Sequence, residues 1–69
     1  MKRVYRWLFG TAPYTIEVFL DSVGSWRWRL RHENRQILAS SEAYSSKDAA
    51  MVTARNLSDW TGIHVEVLS

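Results

Sequence analysis

The chain has 69 residues, no cysteine, four Trp, three Tyr and two Phe, and nine Lys and Arg against seven Asp and Glu, for a formal net charge of +2. This length has room for one domain, 1–69, and the aromatic content suits a packed core better than disorder. The lack of cysteine excludes disulfides and the commonest zinc sites, so a core this small needs other support, and a second subunit is the leading candidate.

The sequence pI near 9.4 is mild for a nucleic-acid binder. In the first ten residues Lys2 and Arg3 are followed by a short apolar run, which Arg6 interrupts well before the length of a signal-peptide core or a membrane span. The expected location is therefore cytoplasmic, with no membrane contact. A strand over Arg3–Phe9 can be drawn before the break at Gly10–Pro13, and residues 1–12, with Tyr5, Trp7 and Phe9, read as an N-terminal extension or edge strand.

From Tyr14 to Leu20, the residues Tyr14, Ile16, Val18 and Leu20 alternate with Thr15, Glu17 and Phe19, the period of two of a half-buried strand. Asp21, Ser22 and Gly24 supply a turn. Trp26, Trp28 and Leu30 then fall on one face and Arg27, Arg29 and Arg31 on the other. A third strand is expected from Gln36 to Glu42 after a two-residue turn at Asn34-Arg35, with Tyr44 closing an antiparallel meander. Ser45 with Asp48 three residues later resembles a capping box, and Ala50, Ala54, Leu57 and Trp60 form an apolar helical stripe that Gly62 stops. Ile63, Val65 and Val67 alternate with His64 and Glu66 in a short terminal strand. The expected fold is α+β: a small antiparallel sheet packed on one helix through the tryptophan face.

Pairing chemistry sets the register. Placing Leu20 opposite Trp26 puts Val18 opposite Trp28, Ile16 opposite Leu30 and Glu17 opposite Arg29, so apolar meets apolar and opposite charges meet. In the second hairpin Leu30 then faces Ala39 and Arg27 faces Glu42. On this reading Glu17 and Glu42 offset Arg29 and Arg27, and Arg31 is the least neutralised of the three.

The stretch from Tyr14 to about Ala54 resembles the YegP-like family (DUF1508, UPF0339). The residues that carry the likeness are Asp21 and Gly24, the run Trp26-Arg27-Trp28-Arg29-Leu30, Asn34, and Ser41-Glu42-Ala43-Tyr44-Ser45-Ser46-Lys47. The terminal strand also resembles the family's ending, which takes the match to about 14–67. Family members often carry glycine where this chain has Arg35 and Ala43. The resemblance implies one helix on a small sheet and, for a single copy, a homodimer, intertwined in some members. It implies no reaction.

The candidate chemistry is sparse. His32 and His64 have no cysteine nucleophile, phosphate-binding glycine loop or carboxylate constellation around them, so no catalysis, cofactor or metal is expected. Arg27, Arg29 and Arg31 would project at about 7 Å intervals, near the spacing of successive phosphates. Arg35 and Lys47 could extend this row, and Phe19 offers a ring for stacking. Two readings follow: a structural or protein-interaction module whose arginines are closed into ion pairs, or weak, sequence-independent nucleic-acid or polyanion binding through the arginine face. Trp26, Trp28, Leu30, Ile16, Val18 and Leu57 are assigned to the core or a dimer interface.

Overall fold

A computed structural model describes residues 13–68. The proposed Arg3–Phe9 strand and the side chains of Tyr5, Trp7 and Phe9 lie outside the described residues. The elements are β1 (Tyr14–Leu20), β2 (Trp26–His32), β3 (Ile37–Ser40), α1 (Lys47–Thr61) and β4 (His64–Val67).

β1 and β2 pair antiparallel with Leu20 opposite Trp26, Val18 opposite Trp28, Ile16 opposite Leu30 and Glu17 opposite Arg29, the register expected from side-chain chemistry. A one-residue slip of β1 would expose Ile16 and Val18, the two largest fully buried side chains, and turn Glu17 and Phe19 into the core in their place. These two residues pack with Ala50 and Ala54 of α1, and Trp26, Trp28, Leu30, Tyr44, Met51, Leu57, Ile63 and Val65 surround them. Trp28 also anchors the helix through a polar contact, because its indole Nε1 donates to Thr53 Oγ1 at 3.0 Å.

The two hairpins share one geometry. In the first, Gly24 N donates to the Asp21 carbonyl and Asp21 N to the Ser25 carbonyl; in the second, Arg35 N donates to the His32 carbonyl and His32 N to the Gln36 carbonyl. Each is a three-residue loop whose last residue is left-handed, Gly24 at φ 86° and Arg35 at φ 76°. The second turn is therefore Glu33-Asn34-Arg35 rather than the two-residue turn expected. A register shift between Leu30 and Arg31 absorbs the difference: Arg31 faces Ile37, yet Leu30 faces Ala39 as expected. Beyond Ser40 the regular ladder stops, leaving an isolated bridge from Tyr44 to Trp26.

Helix α1 starts after Ser46, whose Oγ accepts from Ala49 N, and ends at Gly62, left-handed at φ 76°. Trp60 is not part of the buried stripe; it is 91% exposed. At 100° per residue it sits roughly 80° from the line through Ala50, Ala54 and Leu57, in the last turn.

The sheet is mixed, not purely antiparallel. Its order is β3-β2-β1-β4, with β4 parallel to β1 through Thr15–His64, Ile16–Val65, Glu17–Glu66 and Val18–Val67. The reason is directional. β1 and β3 run the same way, and α1 carries the chain back across β2 and β1, so the next strand can only run parallel to β1. α1 packs over β2, β1 and β4 but not β3, whose four residues are all exposed.

Candidate functional site

The face of the sheet opposite α1 carries Glu17 and Phe19 from β1 and Arg27, Arg29 and Arg31 from β2, because alternation sends them away from Ile16, Val18, Trp26 and Trp28. Glu17 is the focus of this face and is only 4% exposed. Its Oε1 accepts from Arg29 Nε at 2.8 Å and its Oε2 from Arg31 Nε at 2.7 Å. Arg29 lies directly across the hairpin and Arg31 on the diagonal, both within reach on one sheet face. Burial pushes the Glu17 carboxyl up, but the hydrogen bonds and charges of Arg29 and Arg31 together outweigh it and hold the carboxyl below its ordinary value. Arg29 also stacks on Phe19, its guanidinium carbon 4.5 Å from the ring centroid.

Arg27 is partnered by Asp21, not Glu42. Its Nε donates to Asp21 Oδ2 at 2.8 Å, while Asp21 Oδ1 accepts from Val23 N and Ser25 N within the turn. The bonds from Arg27, first, and from the Ser25 amide keep the Asp21 carboxyl below its ordinary value. The Glu42 pairing fails because the ladder ends at Ser40, and Glu42 is exposed in the stretch before the Tyr44 bridge. Arg31, expected to be the least neutralised, shares Glu17 with Arg29. Asp21 was legible as a partner, since it lies two residues past Phe19, which faces Arg27, and so on the same face and on the diagonal.

Arg35 holds the left-handed corner of the second turn. It lines a concavity of ≈ 550 Å³ with Glu17, Arg29, Arg31, Glu33 and Ile37. Lys47 is on the other side of the sheet, its Nζ 5.6 Å from the Trp26 ring centroid, and does not extend the arginine row. Of the proposed core or interface residues, Ile16 and Val18 are buried, and Trp26, Trp28, Leu30 and Leu57 pack against them half-buried. His32 serves the turn, with Nδ1 accepting from Asn34 N. A second concavity of ≈ 590 Å³ lies on α1 beside Asn56, Leu57, Asp59 and Trp60. Among the described residues no group of three or more His, Cys, Asp or Glu could hold a metal ion, and no helix is long and apolar enough to cross a membrane.

A mixed four-stranded sheet with one helix on one face and a row of paired arginines on the other defines a small α+β domain. The family described as "Domain of unknown function (DUF1508)" matches residues 21–52, from the first turn into α1. Two UPF0339 proteins of Neisseria meningitidis, NMB1088 of serogroup B and NMA1193/NMA1859 of serogroup A, are each 45% identical over 31 residues. That stretch is 45% of this chain and 55% of either relative, so the match spans about half their length. The solution structure of a protein from Haloferax volcanii is similar at a TM-score of 0.57 and 37% identity, over 70% of this chain and 80% of that one. The chain belongs to the DUF1508 (UPF0339) family, for which no activity is described.

Proposed function

We propose that this single domain is a protein-interaction module that assembles with a second copy of itself through the β4 edge of its sheet. The observation that carries the reading is exposed apolar surface where the neighbouring strands β1 and β4 end: Leu20, Val67 and Leu68 are 47%, 38% and 45% exposed. β4 has only four residues, and among the described residues nothing pairs with its outer side. An edge strand with its outer N–H and C=O groups unpaired is a template for another strand, and two-fold pairing of β4 with β4 of a second copy would bring the exposed Val67 and Leu68 of each copy to the seam. The core supports the same reading, since among the described residues Ile16, Val18, Ala50 and Ala54 are the fully buried hydrophobics, little for a chain without disulfides.

The intertwined form implied by the family resemblance is compatible with this geometry. β4 is joined to α1 through Gly62 and Ile63 and, among the described residues, pairs with β1 alone, so it could exchange between copies and keep the same partner strand. The pairing of Arg27 with Asp21 and of Arg29 and Arg31 with Glu17 argues against extended polyanion binding, because it leaves the row with little uncompensated charge. Light scattering over a micromolar concentration series tests the assembly. A dimer mass is expected, with Leu68→Arg shifting it to the monomer while the circular dichroism of the fold is kept. A wild-type monomer throughout that range refutes the proposal.

A further inference from the structure

We propose that the concavity beside the β2–β3 turn is a binding site for one phosphate-type oxyanion, with Arg35 as its uncommitted cation. Two independent observations meet there. The first is charge: Arg29, Arg31 and Arg35 line the concavity against Glu17 and Glu33, three positive charges to two negative, a local excess of one. Glu17 engages only the Nε edge of Arg29 and Arg31. Arg31 Nη1 has a long contact of 3.4 Å to the His32 carbonyl, and among the described residues the other Nη groups of both arginines and the whole Arg35 guanidinium have no acceptor. Glu17 thus fixes two guanidinium groups in place and leaves their outer N–H groups for a ligand, so the ordering cost of those side chains is met before binding.

The second observation is backbone conformation. Arg35 sits at φ 76°, a corner that glycine fills in the first hairpin and that a side-chain-bearing residue occupies at a cost. Among the described residues nothing requires a side chain there, since the Arg35 guanidinium bonds to none of them. An arginine in a strained turn that lines the same concavity as two anchored arginines has its explanation in what the three can hold together. The concavity of ≈ 550 Å³ has room for a phosphate group and part of its carrier rather than a nucleic-acid strand, and Arg27, closed on Asp21, is not part of it. Phosphate is favoured over carboxylate because three separate guanidinium groups line the site, and a tetrahedral oxyanion offers each of them an acceptor, whereas a carboxylate is satisfied by one fork.

The test is an amide chemical-shift titration of the full chain with inorganic phosphate at low ionic strength, with chloride and acetate as separate arms. Saturable shifts confined to Arg29–Ile37 and Glu17, millimolar in affinity and weaker for acetate, are expected. Arg35→Gly, which keeps the left-handed corner and removes the cation, should weaken binding about tenfold, the worth of a single charge-assisted contact, with no loss of thermal stability. Arg35→Lys should retain most of the affinity. Four results would each overturn the proposal: shifts mapping elsewhere, chloride or acetate acting as strongly as phosphate, Arg35→Gly binding unchanged, or a single-stranded oligonucleotide bound through Arg27–Arg31 irrespective of Arg35. A monomeric protein that still binds phosphate would refute the β4 assembly alone, so the two proposals fail separately.

Discussion

Glu17→Gln probes the domain at its most consequential polar contact. In the native protein the Glu17 side chain, 6% exposed, accepts from two guanidinium groups at 2.8 and 2.7 Å. Glutamine is nearly isosteric but has one acceptor oxygen, so one arginine loses its partner and meets an amide NH₂ instead. Removing one side of a fully buried ion pair costs about 3–5 kcal/mol. Here the arginine side chains keep 32% and 28% of their surface in water, so solvent takes up part of the loss. We expect about 1–3 kcal/mol, a fall in melting temperature of roughly 5–20 °C for a chain of this size. The pH dependence gives a stricter check. Because the folded Glu17 carboxyl is held below its ordinary value, its contribution is complete above the unfolded carboxyl's value near 4.5 and is lost as pH falls through the lower folded value. Tryptophan fluorescence melts of both proteins from pH 7 to pH 2 should therefore converge at the acid end, where Glu17 is protonated and resembles glutamine. A gap that is absent at pH 7, or that persists undiminished at the acid end, refutes the two-arginine account.

Five further substitutions, at Trp28, Arg35, Ser46 and Ser45, separate packing, backbone and capping. Trp28→Phe should cost about 1 kcal/mol by removing the bond to Thr53, while Trp28→Ala should cost roughly 2–4 kcal/mol by also opening the half-buried space beneath α1, both read from urea unfolding. Arg35→Gly should raise stability by roughly 0.5–1 kcal/mol through relief of its positive φ, visible as a higher urea midpoint at an unchanged slope. Ser46→Ala should cost about 1 kcal/mol in the same assay and Ser45→Ala almost nothing, because Ser46 Oγ is the acceptor for Ala49 N.

The first hairpin was legible because its pattern is redundant. Ile16, Val18 and Leu20 find Leu30, Trp28 and Trp26 in only one register, and Glu17 faces Arg29 in that same register. The second hairpin carried weaker information. Asn34-Arg35 marks a turn but not its length, and the extra residue of the loop is absorbed by a register shift that sequence does not announce, so the Leu30–Ala39 pair was found through a different turn. The Glu42 partner for Arg27 failed because pairing was extended past Ser40, where the ladder gives way to a single bridge at Tyr44. The direction of β4 follows from α1 crossing the sheet, a tertiary fact with no mark in the alternation of Ile63, Val65 and Val67. Trp60 was misplaced because three- and four-residue spacing tolerates a residue at the flank of a stripe, and only the position of the sheet under α1 decides whether that flank is covered.

The two proposed surfaces have a geometric relation that bears on how the domain could work. β4 and β3 are the opposite edges of one sheet, and the arginine concavity lies at the β3 side, two strands away from β4. Antiparallel pairing of two β4 edges places the two-fold axis perpendicular to the sheet, so both helices fall on one side and both arginine faces on the other. Such an assembly would present one continuous polar face of eight strands, with an anion site near each end. Two sites carried at the far edges of one rigid sheet suit a partner with two separated acidic or phosphorylated groups better than a single small ligand, since engaging both multiplies a weak individual affinity through effective concentration. In that arrangement the middle of the face is built from β1 and β4, which bring Glu17 and Glu66 and no arginine, so attraction is confined to the two ends and the spacing between them becomes the element of selectivity.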